Sequence, residues 1–80
     1  MIEFIVMEKT VDGELEGRGP HTFHVTPRTG EYLTMDDATG SGQAYRILAV
    51  VHAVDPSATG AAGDLIIRHL GNDMDFLATL

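Results

Sequence analysis

The chain has no cysteine, which removes disulfides, thiolate metal sites and cysteine nucleophiles together while leaving the cellular compartment open. Basic residues are also scarce: five Lys and Arg stand against twelve Asp and Glu, for a net charge of −7 at pH 7. Such a surface repels a polyanion on average, and Lys9, Arg18, Arg28, Arg46 and Arg68 are dispersed along the chain. Nucleic acid is therefore not an expected partner. No apolar run approaches the ~18 residues of a membrane-spanning helix. The opening stretch MIEFIVME places acids where a targeting segment carries bases. A cytoplasmic protein with no membrane contact is the expectation. Its 80 residues form a single domain, 1–80, and a chain of this size buries only about 60–65% of its unfolded surface. It needs a compact fold or a second subunit.

Residues 2 to 9, IEFIVMEK, are rich in β-branched and aromatic side chains, and alternation puts Ile2, Phe4 and Val6 on one face of a strand. Residues 10 to 20, TVDGELEGRGP, hold three glycines and a proline and predict an exposed turn-rich loop or hairpin tip. His21–Val25 reads as a short second strand ended by Pro27, and Glu31–Met35 as a third. Asp36–Gly42 turns the chain into the longest strand, Gln43–Val54. Strict alternation there sorts Tyr45, Ile47, Ala49 and Val51 from Arg46, Leu48, Val50 and His52, so both faces are largely apolar. After a small-residue loop at 55–63, Asp64–Leu70 forms a fifth strand, with Leu65, Ile67 and His69 opposed to Ile66, Arg68 and Leu70. Asn72 can cap a short helix, with Asp73 and Asp75 in its first turn and Met74, Leu77 and Leu80 at helical spacing.

Five strands and a terminal helix predict an all-β fold, a small five-stranded, strongly bent barrel of the SH3-like kind whose closure covers most sheet edges. The alternative is α+β, an open antiparallel sheet with the helix across one face.

The candidate chemistry is sparse. His21 and His24 lie three apart, so on a strand they point to opposite faces and cannot share an ion. His52 and His69 lie on neighbouring strands and could face one another, with Asp36 or Asp37 as oxygen donors, but only a fold could unite them. No metal site is assigned. Asp36-Asp37 and its Gly-rich turn lack the alternating acids of a calcium loop, and neither ATGSGQ nor ATGAAGD fits a phosphate-binding loop. Ser41 and Ser57 lie in small-residue loops with no nucleophile-elbow motif, so no catalytic residue or cofactor is assigned.

In Pro27-Arg28-Thr29-Gly30-Glu31, Pro27 and Gly30 shape a turn and Arg28 is placed to pair with Glu31. This Pro-Arg-x-Gly-Glu pattern, followed by a hydrophobic strand, a polar turn and Tyr-Arg leading to His52, resembles small uncharacterised bacterial and phage proteins over residues 27–52. The resemblance implies a small barrel and transfers no functional residue. The remaining positive signal is hydrophobicity, 44% apolar residues in a short acidic chain. A non-enzymatic interaction or binding module acting as a homo-oligomer, a dimer first, follows from it. The sheet edges or the side of Val50, His52, Ile66 and Leu70 are the expected interface, and a protein partner could dock on the loops. The alternative is a small-molecule or metal-assisted enzyme with its pocket between subunits, built from Tyr45, Arg46, His52, Arg68 and His69. A pocket that encloses both histidines and an arginine favours the enzyme; dispersed histidines favour the module.

Overall fold

A computed structural model of the protein describes residues 1–55 and 60–80. Five strands, β1 (Ile2–Lys9), β2 (Leu15–Phe23), β3 (Tyr32–Asp36), β4 (Gly42–His52) and β5 (Gly63–Asn72), precede one short helix, α1 (Asp73–Thr79). They form a single sheet in the order β2-β1-β5-β4-β3, curled into a half-barrel. The all-β fold with five strands and a C-terminal helix is thus the one expected, and β1 matches its predicted bounds. Two features go beyond the expectation. The pairing of β1 with β5 is parallel, so the sheet is mixed. The curl also stops short of closure, leaving β2 and β3 as the two edges.

The curvature has local causes. In β1/β2 the register passes from Val6↔Gly19 to Met7↔Gly17, which makes Arg18 an extra, bulged residue. In β4/β5 the same slip leaves Leu70 unpaired between Ala44↔Gly71 and Tyr45↔His69, and Leu48 unpaired between Ile47↔Ile67 and Ala49↔Ile66. Each bulge adds twist and bends its strand. The concave side gathers the core, where Phe4, Val6, Leu65 and Ile67 have no exposed surface and Tyr45 and Ile47 are nearly as buried. Burying each large aliphatic or aromatic side chain contributes about 1.5–3 kcal/mol. Phe4 sits at one end of this core, edge-on to Phe23 and to His52 with ring centroids 6.1 Å from each.

Three sequence expectations are corrected here. Residues 15–20 are not loop but two thirds of β2: an edge strand tolerates Pro20, and the two glycines flanking Arg18 permit the bulge. The two faces of β4 are not those of strict alternation, because the extra residue Leu48 reverses the phase beyond it. Val50, opposite the buried Leu65, therefore packs against the same core as Ile47, while Ala49 lies beside Ile66 on the outer face. In α1, Asn72 does cap the helix, accepting from the Met74 and Asp75 amides at 2.9 and 3.4 Å. Yet Met74, Leu77 and Leu80 remain exposed; the helix is anchored by Phe76, whose ring lies 4.8 Å from that of Tyr32.

Candidate functional site

Polar groups collect at one end of the concave face, next to the gap between the two edge strands. Glu8 on β1 sits opposite Ile67 and takes the Arg18 guanidinium as an ion-pair partner, the bulge in β2 having turned Arg18 towards it. Glu8 has only 13% of its side chain exposed, against 41% for Arg18, so the carboxylate is the inner member of the pair. The hydrogen bond to Glu8 raises the pKa of Arg18 above its ordinary value and holds the guanidinium charged. Beside them Tyr45 and His69, cross-strand neighbours on β4 and β5, lie with ring centroids 5.3 Å apart.

A hydrogen-bonded chain completes the cluster. Asp37, just past β3, accepts from the Thr39 amide (2.8 Å) and hydroxyl (2.6 Å) and from the Ser41 amide (3.0 Å), which fixes the β3–β4 turn. Its other oxygen accepts from the Gln43 amide nitrogen at 3.3 Å, and the Gln43 carbonyl faces His69 Nε2 at 2.8 Å. Because the Gln43 nitrogen must donate to the carboxylate, its oxygen accepts, and His69 carries its proton on Nε2. The Thr39 hydroxyl and amide lower the pKa of Asp37, an exposed group. Burial raises that of Tyr45, with Glu8 adding to the shift. At neutral pH the cleft therefore holds a carboxylate, a neutral phenol and an ion pair. Arg18, Asp37 and Tyr45 line two adjoining hollows of ≈ 240 and ≈ 260 Å³.

These groups are equipped for hydrogen-bonded recognition. Ser41 spends its amide on Asp37, and its hydroxyl can donate to the Thr39 hydroxyl 3.4 Å away, whose own proton goes to Asp37, while the His69 Nε2 proton is directed at Gln43. No nucleophile and base are thereby aligned among the described residues; Ser57 lies outside them. Nor do three or more His, Asp or Glu side chains converge as metal ligands among the described residues.

The sequence-predicted binding residues are split. Tyr45 and His69 share the polar end of the concave face. His52 is at the opposite end of the β4/β5 ladder, paired with Gly63 and edge-on to Phe4. His52 lies seven positions along β4 from Tyr45, at most about 23 Å at ~3.3 Å per residue, so the two histidines do not face one another. Arg46 and Arg68 are directly opposed across β4 and β5 on the outer face, with the Arg46 guanidinium 5.8 Å from the centre of the Tyr32 ring. The expected interface set is divided for the same reason. Val50 and His52 belong to the core side once the Leu48 bulge is counted, and only Ile66 and Leu70 lie outside. Arg28 approaches Glu31 through its backbone amide, which donates to Glu31 Oε1 at 2.8 Å, rather than through its guanidinium. Arg18, Glu8 and Gln43 were not legible as site residues; a lone Arg between Gly17 and Gly19 was the available sign of a bulge.

The outer face is the larger exposed feature. Met7, Ile66 and Ala49 form one cross-strand row, and Ile5, Asp64 and Val51 the next. Met7, Ile66, Ala49 and Ile5 are half-buried, while Val51 is 52% exposed and Leu70, at the same surface's other end, 42%. No helix among the described residues is long and apolar enough to cross a membrane. No family model, curated protein or solved structure matches the chain.

Proposed function

We propose that the chain is a cytoplasmic, non-enzymatic interaction module that works as a homodimer, its subunits joined through the outer face of the sheet. The observation that carries this reading is the pair of cross-strand rows holding Ile5, Met7, Ala49, Val51 and Ile66 on the outer face, where, among the described residues, α1 packs at the Tyr32 end. Sheets with one solvated face normally alternate polar residues onto it; here they stand at the two ends, Asp64 at one and Arg46 and Arg68 at the other, and the middle row of Met7, Ile66 and Ala49 is apolar. The accessible surface points the same way. At 5356 Å² for 8.6 kDa, it exceeds by roughly 650 Å² the ~4,700 Å² of a compact monomer of that mass. That excess approaches the ~800 Å² that one partner of a standard interface covers. The separation of His52 from His69, and the occupied hydrogen bonds of Asp37, Gln43 and Ser41, support a binding role over a catalytic one. Light scattering tests the proposal: the protein is expected at twice its 8.6 kDa chain mass, and Ile66→Glu, on the outer face, is expected to be a folded monomer. A monomeric native chain at high micromolar concentration overturns the proposal.

A further inference from the structure

Along β5 the outer face reads Asp64, Ile66, Arg68, with the intervening Leu65 and Ile67 wholly buried on the other side. The neighbouring strands sharpen this gradient. Arg46 stands directly opposite Arg68, and at the other end Asp64 lies between Ile5 and Val51, with Glu3 further along β1 on the same face. Like charges directly opposed across a sheet destabilise it. Among the described residues, neither Arg46 nor Arg68 has a carboxylate at ion-pair distance; the ion pairs belong to Arg18. An acidic end, an apolar middle and a basic end thus lie in line, with Ile66 at the midpoint.

From this order we infer that two copies pack outer face to outer face with their strands antiparallel, about a two-fold axis that lies in the contact plane and crosses the strands at Ile66. The inference rests on the homodimer proposed above and specifies its geometry. Such an axis sets each Asp64 against the partner's Arg68 and brings Arg46 towards the same carboxylate. Met7, Ile66 and Ala49, which lie on the axis, meet their own counterparts. Face-packed sheets lie ~10 Å apart at a small angle, a span that a long guanidinium arm and a short carboxylate bridge together. The other face-to-face arrangement, with the axis along the strands, places Asp64 on Asp64 and Arg68 on Arg68. Repulsion at both ends rejects it. The two-fold symmetry makes every favourable contact occur twice, which is how a self-complementary patch closes on itself.

A charge-reversal pair tests the geometry. Asp64→Arg leaves a face that is basic at both positions, and Arg68→Asp leaves one that is acidic at both. By sedimentation equilibrium each variant alone is expected to dimerise at least tenfold more weakly than the native chain. Their equimolar mixture is expected to associate more tightly than either variant alone, as a heterodimer that native mass spectrometry resolves from either homodimer by mass. The double variant Asp64→Arg/Arg68→Asp, which exchanges the two charges, is expected to homodimerise more tightly than Asp64→Arg, short of the native chain only by the Arg46 contact that now meets Arg; it carries the test should either single variant fail to fold by circular dichroism. Single variants that dimerise normally, a mixture that stays monomeric, or a monomeric double variant overturns the antiparallel geometry while leaving the homodimer standing. A native chain that is itself monomeric overturns the homodimer, and the geometry with it.

Discussion

Gly63 begins β5 opposite His52, and a β-carbon added there would lie inside contact distance of the Val51 carbonyl oxygen and 2.9 Å from the His52 α-carbon. Both are backbone atoms of β4, so no side-chain rotation relieves the clash and the strands must part. Non-bonded carbons settle at ~3.5–4.0 Å, which requires a shift of at least ~0.6 Å between strands whose normal spacing is ~4.8 Å. That movement strains the Val51↔Asp64 and His52↔Gly63 pairs and draws His52 away from Phe4. Overpacking against rigid neighbours costs about 1–3 kcal/mol, and each ladder hydrogen bond lost about 0.5–1.5 kcal/mol. Gly63→Ala is therefore expected to destabilise by about 3 kcal/mol, a large part of the roughly 4–12 kcal/mol available to a chain of this length. In urea, with a slope of about 1 kcal/mol/M, the unfolding midpoint followed by far-ultraviolet circular dichroism should fall by about 3 M. Gly13→Ala is the control. Its backbone has φ +85° but nothing within 4 Å of an added β-carbon, so only the left-handed penalty of about 1–2 kcal/mol applies. A midpoint shift for Gly63→Ala no larger than that for Gly13→Ala refutes the close-approach argument.

Thr39→Val removes the hydroxyl that contributes most to the lowered pKa of Asp37; carboxyl carbon NMR should show that pKa rise towards the usual aspartate value. In the native chain the stabilisation linked to Asp37 is present above its unfolded pKa of about 3.9 and is lost as pH falls through the lower folded value. Tyr45 has the opposite sign, since burial raises its folded pKa. Its linked stability is complete below the unfolded pKa of about 10 and disappears as pH rises through the folded one, so Tyr45→Phe should flatten the alkaline fall in urea midpoint. An unchanged alkaline slope counts against a protonated, buried phenol. Asn72→Ala deletes the acceptor of the Met74 and Asp75 amides. It should cost α1 about 1 kcal/mol, visible as faster amide exchange at those two residues while the β1 and β5 amides keep their protection.

Sequence alone was a good guide wherever one residue pattern had one structural outcome. The alternation of β1, the buried Leu65 and Ile67, and the Asn72 cap with Asp73 and Asp75 behind it are all of this kind. It failed where pairing outweighed local preference. Leu15–Pro20 has turn composition, but hydrogen bonding to β1 holds it extended, at an edge where Pro20 does no harm. The Leu48 bulge had no visible mark, and it alone moved Val50 into the core and divided the expected interface. The cleft was half legible: Tyr45 and His69 were named, but Arg18 sat in the misread segment, and Gln43 joins Asp37 to His69 only through the register of β4 with β5.

The parallel pairing of β1 with β5 has a consequence for how the chain acquires its structure. Ile5 pairs with Asp64, and the contacts that bury Val6 against Leu65 wait for a segment some 59 positions further on. At about 5–20 residues per second of synthesis, β1 spends roughly three to twelve seconds with only β2 able to shelter it. Closing so long a loop is entropically slow. The nascent hairpin of β1 and β2 thus shows Phe4 and Val6 to its surroundings until β5 arrives, and that interval is when this protein is most open to aggregation and to capture by a chaperone.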